Sequence, residues 1–346
     1  MARQSDLGSA VGLRDIAGRL NVAVCTVSRA LNGDTGVGVV RAASIRALAE
    51  QMGYRPQPMR RRRTRAVGLV ISTSLHRDMQ DPNDRYFQQI SWWMERLVTR
   101  HRMHLHLQFV NRDAPIPEVP PIISENRVDG IILAGHPSVE FCKLCQSLSV
   151  PAVVISDTME RTGLESVMID ETDAIRELVQ RLTTMGHREI AWISTERRYP
   201  VIAAAEDAFL NTASRAGLNV RPEHVIHNLS PNLAGGRRAA EALLGSSSLP
   251  TAFVFANDWM ALGGLGHLQR RGIEVPKQIS VIGRGNDTIC DEADPRITTI
   301  DRRIEEILSL ALDALVELIG HSREPVQHRI PARIVWRDSC TSPGRQ

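Results

Sequence analysis

The chain is short of cysteine, of long apolar runs and, in its first part, of lysine. Its 346 residues hold five cysteines, an odd and scattered set at 25, 142, 145, 290 and 340. That pattern excludes the paired framework of a small secreted domain. One C-x-x-C, Cys142 and Cys145, lacks the second close pair that a structural zinc site needs, so it reads as two thiols on one helix face. No apolar run approaches the roughly 18 residues needed to cross a bilayer. The first residues, MARQSDLGSAVGL, carry no apolar signal core. The expectation is a cytoplasmic protein with no membrane partner. Missing too is any nucleophile–base–acid constellation or phosphate-cradling loop, so no enzyme activity and no cofactor is expected. GGLGHLQRRG has the glycines of a nucleotide loop, but they fall inside a helix that follows ND rather than in a turn after a strand. His104 and His106 share one face of a strand and fall short of a metal set.

Residues 1–65 contain twelve arginines, no lysine and four acids, a net of +8. The whole chain is +3, so the remainder carries −5. A small basic segment joined to a larger, mildly acidic one is the footprint of a nucleic-acid binder with a separate second function.

Within that segment, LRDIAGRLNVAVCTVSRALNG (13–33) has two short helical stretches. Leu13, Ile16, Ala17 and Leu20 line one, and Val24, Val27, Ala30 and Leu31 the other. The NV between them makes a tight turn, and the whole reads as a helix-turn-helix. Ala17 is small where the helices cross, Asn21 suits a left-handed backbone, and Val27 faces the inter-helix core. A third helix is expected over 40–52, closed by GYRP.

This stretch, with its TVSRALNG core and GYRP at that distance, resembles the DNA-binding domain of the lactose-repressor (LacI/GalR) family of transcriptional regulators. The resemblance implies that the second helix enters the major groove. Val24, Cys25 and Arg29 then point at base edges. Arg29 either pairs bidentately with guanine, worth roughly 1–3 kcal/mol of discrimination, or contacts phosphates. Thr26 and Ser28 supply hydroxyls to phosphates. Leu13, Arg14, Asn32 and Tyr54 complete the implied contact set. Relatives carry Ser or Thr at the Ala23 position; the lost N-cap should cost about 1 kcal/mol.

From Ala66 on, short apolar runs alternate with amphipathic stretches. Strands are expected at 66–72, 104–110, 130–135, 152–156, 166–170, 189–194, 251–257 and 280–286, with helices between most of them. Parallel sheets covered on both faces follow. The length favours two lobes with a cleft at the strand C-terminal ends. DGIILAG, MGHREIAWIS and FANDWMALGGLG extend the family resemblance, implying an effector domain of the periplasmic-binding-protein type. The expected organisation is an N-terminal all-α domain plus an α/β effector domain. The boundaries are a disordered tail (1–12), the helix-turn-helix (13–57), an arginine-rich hinge (58–65) and the effector domain (66–346). Lobe 1 takes about 66–160 plus 303–320, and lobe 2 about 161–290 plus 326–340.

The effector positions depart from the family pattern. Where sugar-responsive relatives have an arginine and an aspartate, this chain has Ala205 and Gly285, while Arg284 replaces an aromatic. Ser72, Tyr86, Phe87, Ser156, Asp157, Asn257, Asp258 and Arg284 are the implied effector contacts. With the neutral-sugar anchors gone and Arg284 gained, an anionic effector, or none, is expected.

Residues 60–65 hold five arginines, at the place of the family's hinge. A localisation signal and a solvated linker are open readings. The favoured one is an arm in which Arg60, Arg61, Arg62, Arg63 and Arg65 grip phosphates or a narrowed minor groove. The leucine that kinks DNA in relatives is missing. The resemblance implies a homodimeric repressor, its partners being a pseudo-palindromic double-stranded operator and a small effector. The tail after Trp336 is too short for an added tetramerising helix. A solute-binding protein and a doubly wound enzyme are the rival readings.

Overall fold

A computed structural model describes residues 12–31, 37–52, 64–73, 85–114, 117–156, 159–197, 199–321 and 323–344. Asn32, Tyr54, Arg60–Arg63 and Asp157, and the side chain of Arg14, lie outside the described residues. The chain divides into two units, 1–63 and 64–346.

The first unit holds α1 (Leu13–Leu20), α2 (Val24–Leu31) and α3 (Val39–Gln51). Asp15 accepts the Gly12 N–H at 2.7 Å and satisfies a donor that the start of α1 leaves open. Asn21 takes φ +50° and ψ +47° at the turn, as its side chain permits. Ile16, Ala17, Val27, Ala30, Ala42, Ile45 and Ala49 form one buried core. Small alanines at the crossings let three short helices approach closely.

In the second unit the chain first lays down β1 (Ala66–Thr73), α4 (Arg85–Arg100), β2 (His104–Asn111), α5 (Pro121–Ser124), β3 (Gly130–Ala134), α6 (Val139–Ser147), β4 (Ala152–Ile155), α7 (Met159–Thr162) and β5 (Glu165–Asp170). Then come α8 (Thr172–Met185), β6 (Ile190–Ile193), α9 (Pro200–Arg215), β7 (Val225–Ile226), α10 (Leu233–Leu244), β8 (Ala252–Phe255), α11 (Asp258–Arg270), β9 (Ser280–Gly285), α12 (Ile289–Glu292) and β10 (Thr298–Asp301). The last elements are α13 (Ile304–Gly320), β11 (Gln327–Pro331) and β12 (Arg333–Val335).

Among the described residues these strands form two six-stranded sheets, β11-β5-β4-β3-β1-β2 and β12-β10-β9-β8-β6-β7. All pairings are parallel except β10 with β12. Successive residues of β1 feed opposite faces. Val67, Leu69 and Ile71 pack under α4 and α13, while Ala66 and Val70 pack under α5 and α6. In lobe 2, Phe253 and Phe255 face α10 and α11, and Trp192 and Val254 face α8 and α9. Burial on both faces explains why these strands read as unbroken apolar runs.

The lobe boundaries differ from those expected at 160 and 326. β5 pairs with β4 and β11, so 165–170 belongs to lobe 1. β11 also lies in lobe 1, and only β12 returns to lobe 2. The chain therefore crosses between lobes near Glu171, near Arg302 and at Ala332. These crossings are tied together. Ala332 N–H donates to Asp170 O at 2.9 Å, and Arg302 Nε donates to Glu171 at 2.9 Å. Arg333 Nε donates to Asp301 at 3.0 Å.

Cys142 and Cys145 are buried on α6 as free thiols, and burial pushes Cys145 up to about 12. Gly263, Gly264 and Gly266 of this stretch (GGLGHLQRRG) lie within α11, as expected, and Gly272 follows the helix at φ +75°. Gly263 and Gly264 serve packing: a Cβ on Gly263 would stand 2.1 Å from Leu233 O of α10, and one on Gly264 2.4 Å from the Phe255 ring. His104 and His106 lie on the edge strand β2.

Candidate nucleic-acid interface and inter-lobe cleft

Burial of Val27 and Ala30 turns the opposite side of α2 outward. Val24, Cys25 and Arg29 are exposed there, with Thr26 and Ser28 half-buried. Arg46 of α3 donates to Ala30 O at 3.3 Å and braces the end of α2. At its start, Ala23 O accepts from Thr26 and Val27, but an alanine side chain cannot cap. Leu13 packs partly buried against the three-helix core.

Beyond the arginine run, the Asp129 carboxylate accepts the backbone N–H of Thr64 at 2.8 Å and of Arg65 at 2.9 Å. Arg65 is exposed, at φ +54°. Asp129 thus fixes where the basic run joins β1.

In the second unit, the C-terminal ends of the parallel strands form the edge where open α/β sheets bind ligands. Tyr86 Oη lies 3.2 Å from Ser156 Oγ, and Ser156 adopts φ +62°. The Phe87 ring stands 5.4 Å from that of Tyr86 and 6.3 Å from that of Phe109. Ser72 is buried, and Gly135 passes so close that a Cβ there would meet Ser72 O at 2.2 Å.

The other expected anchors serve the fold. Asn257 caps α11, its Oδ1 accepting Met260 N–H at 2.8 Å. Asp258 is buried and accepts from Thr299 Oγ1 at 2.5 Å and from Asp287 N–H at 2.8 Å. Burial pushes its carboxyl up, against the pull of those two donors. The same carboxylate explains Gly285, where a Cβ would stand 2.8 Å from Asp258 Oδ2. Ala205, expected in the cleft, packs into the lobe 2 core.

Arg284 calls for a correction. Its guanidinium is 1% exposed and faces Glu171, with Nε 2.8 Å from Oε2. It also lies 5.0 Å from the Trp192 ring. The cation expected to attract an anionic effector is neutralised within the chain.

Sequence reading missed the groups that meet between the lobes. Tyr199, which precedes α9, stacks on His136 after β3 with ring centroids 4.6 Å apart and planes at 11°. Arg112, after β2, lies 4.6 Å from the same ring. Nearby in lobe 2, the buried Glu206 carboxylate accepts from Arg197 Nε at 2.8 Å and pairs with His227 Nε2 at 2.7 Å. Each of these except Glu206 lies just beyond a strand's C-terminal end, which is the signal that would have found them.

Among the described residues, no group of three or more His, Cys, Asp or Glu could hold a metal ion, and no helix is long and apolar enough to cross a membrane. Residues 12–57 match the family described as bacterial regulatory proteins, lacI family, and residues 179–340 match a periplasmic binding protein-like domain. The chain is 26% identical over 340 residues to catabolite control protein A of Priestia megaterium, covering 95% of this chain and 99% of that one. It is 28% identical over 328 residues to the transcriptional repressor PurR of Glaesserella parasuis, covering 92% and 93%. Among solved structures, the lac repressor dimer bound to operator and the anti-inducer ONPF superposes with a TM-score of 0.67 at 19% identity, covering 96% of this chain and 99% of that one.

Proposed function

The chain belongs to the LacI/GalR family of transcriptional regulators, and from that premise we propose that it represses transcription as a homodimer on a pseudo-palindromic operator. The observation that carries this reading is the outward face of α2, where Val24, Cys25 and Arg29 stand exposed on a helix whose other side is locked into a core. In this reading Arg29 supplies the bidentate guanine contact. Val24 and Cys25 are weak hydrogen-bonders and read thymine methyls or groove shape. Thr26, Ser28 and Arg65, together with Arg14, Asn32, Tyr54 and Arg60–Arg63, contact the backbone. Leu13, half-buried, supports the start of α1.

Dimerisation has support in lobe 1. Trp92 on α4 and Leu107 and Phe109 on the edge strand β2 are exposed apolar side chains on adjoining elements. A second copy covers them and sets two α2 helices one half-site apart.

The cleft at the strand ends receives the effector. Tyr86, Phe87 and Ser156 line it from lobe 1, with Asp157 following and Ser72 buried beneath, while Asn257, Asp258 and Arg284 hold lobe 2 in shape. A ligand that prefers one placement of the lobes shifts the spacing of the reading heads.

The test is selection of binding sites from random duplex DNA by the full-length protein at fixed physiological salt. Enrichment of a pseudo-palindrome supports the reading. Uniform binding without enrichment sinks it.

A further inference from the structure

The helix whose outward face carries Arg29 is short. α2 has eight residues, with Val27 and Ala30 as its buried anchors and Leu31 partly buried. One of those anchors is a single methyl group. α3 is longer and better held: Ala42, Ile45 and Ala49 lock one side of its thirteen residues into the core. From this fixed helix Arg46 reaches back across sixteen positions of sequence, and its Nε donates to Ala30 O at 3.3 Å. Ala30 O is among the last carbonyls of α2, which no later turn of that helix can satisfy. Ala30 also follows Arg29 directly, and Arg29 is exposed.

We propose that Arg46 sets the sequence specificity of the N-terminal unit by holding the end of α2, and that it does so through its Nε–H rather than its charge. This rests on reading α2 as the helix that enters the major groove. An arginine in so basic a segment would otherwise count as one more phosphate contact. The bond to Ala30 O gives it a different task. A bidentate pair with guanine needs its donor placed to within about 0.5 Å and 10–20°. Buried contacts on one side of a short helix constrain its roll and tilt poorly. A further contact from α3, made at the end of α2, removes that slack. Arg46 is therefore a positioning residue, acting on DNA through the place of Arg29.

The test compares full-length wild type, Arg46→Ala and Arg46→Gln on a selected operator duplex and on a scrambled duplex of equal length, across a salt series. Glutamine carries its amide nitrogen as many bonds from the backbone as arginine carries Nε, so Arg46→Gln keeps the donor and removes the charge. Arg46→Ala is expected to lose about tenfold in the ratio of operator to scrambled affinity, with its salt slope as in wild type. Arg46→Gln is expected to keep the wild-type ratio and slope. A phosphate contact behaves otherwise: both variants then weaken both duplexes alike and flatten the slope of log K against log salt by about 1.8 across a dimer. That result overturns the proposal, as does an unchanged ratio in Arg46→Ala or a ratio in Arg46→Gln as poor as in Arg46→Ala. Should Arg46→Ala unfold the unit, Arg46→Gln alone decides, because it separates donor from charge. Failure of the DNA-reading premise is seen in wild type itself, as equal affinity for the two duplexes, and sinks both; a wild type that discriminates while Arg46→Gln does not sinks this inference alone.

Discussion

Arg284 Nε lies 2.8 Å from Glu171 Oε2, and both side chains are almost wholly buried. The other Glu171 oxygen takes Arg302 Nε at 2.9 Å. Glu171 stands where the chain first leaves lobe 1, and Arg302 where it goes back. One carboxylate therefore joins two crossings to the lobe 2 sheet. Burial pulls the Arg284 guanidinium below its ordinary value and Glu171 opposes this, so the arginine stays charged at any physiological pH.

Glu171→Gln should destabilise the protein by about 3–5 kcal/mol, because it leaves the Arg284 charge buried and uncompensated. The pH dependence has a definite sign. Burial pushes Glu171 up, but Arg284 and Arg302 outweigh it and hold the carboxyl at about 2, below its ordinary 4.5. A depressed carboxyl contributes stability above its unfolded value. That contribution is lost as pH falls from 4.5 towards 2. Denaturant melts at stepped pH check this. The acid-side loss should shrink in Glu171→Gln; an equally steep loss would place the titrating group elsewhere.

The dimer prediction concerns the exposed apolar side chains of β2 and α4. Leu107→Glu puts a charge on an edge strand where a second copy is proposed to pack. Sedimentation equilibrium should show wild type as a dimer and the variant as a monomer with an unchanged circular dichroism spectrum. A variant that remains dimeric moves the interface off this face.

Why the fold was legible and the cleft was not follows from how far apart the interacting residues lie in sequence. AVGLVIS and GIILA announce strands because both faces of each are buried, so the signal is local and continuous. Asn21, Val27 and Ala17 announce the turn and its helices for similarly local reasons. The two-residue β7 and the polar edge strand β11 (QHRIP) carry no such run, and the later lobe boundary was misplaced with β11; SVMID read as a strand, but nothing local says that β5 pairs with β4 and β11 in lobe 1. In the cleft, Arg284 read as a free cation because its partner is 113 residues away. Gly285 read as a lost anchor, although Asp258 crowds any side chain out of that position. Tyr199 lies in ERRYP between a strand and a helix, where no periodicity marks a role.

The N-terminal unit offers a stability test. Ala23 precedes α2 and accepts through its carbonyl, but it leaves the first N–H groups without a side-chain acceptor. Ala23→Ser should stabilise that unit by about 1 kcal/mol. Amide exchange of α1–α3 in the full-length chain reads the change directly, and slower exchange confined to these helices is the expected result. Unchanged exchange means that the lost cap costs nothing here.

The arginine run is tested through salt. Each phosphate neutralised on duplex DNA contributes about −0.9 to the slope of log K against log salt. If Arg60–Arg63 lie along phosphates, their replacement by alanine flattens that slope by several units in a dimer. A disordered, solvated linker has no fixed phosphate partners and leaves it unchanged. Operator affinities of wild type and the fourfold variant, measured across a salt series, separate the two. The affinity at any single salt concentration does not, because a linker change can shift the intercept alone. Arg65 gives an internal control, since Asp129 fixes its backbone to lobe 1. Arg65→Ala should remove no more than one contact per subunit, a slope change of about 1.8 across the dimer.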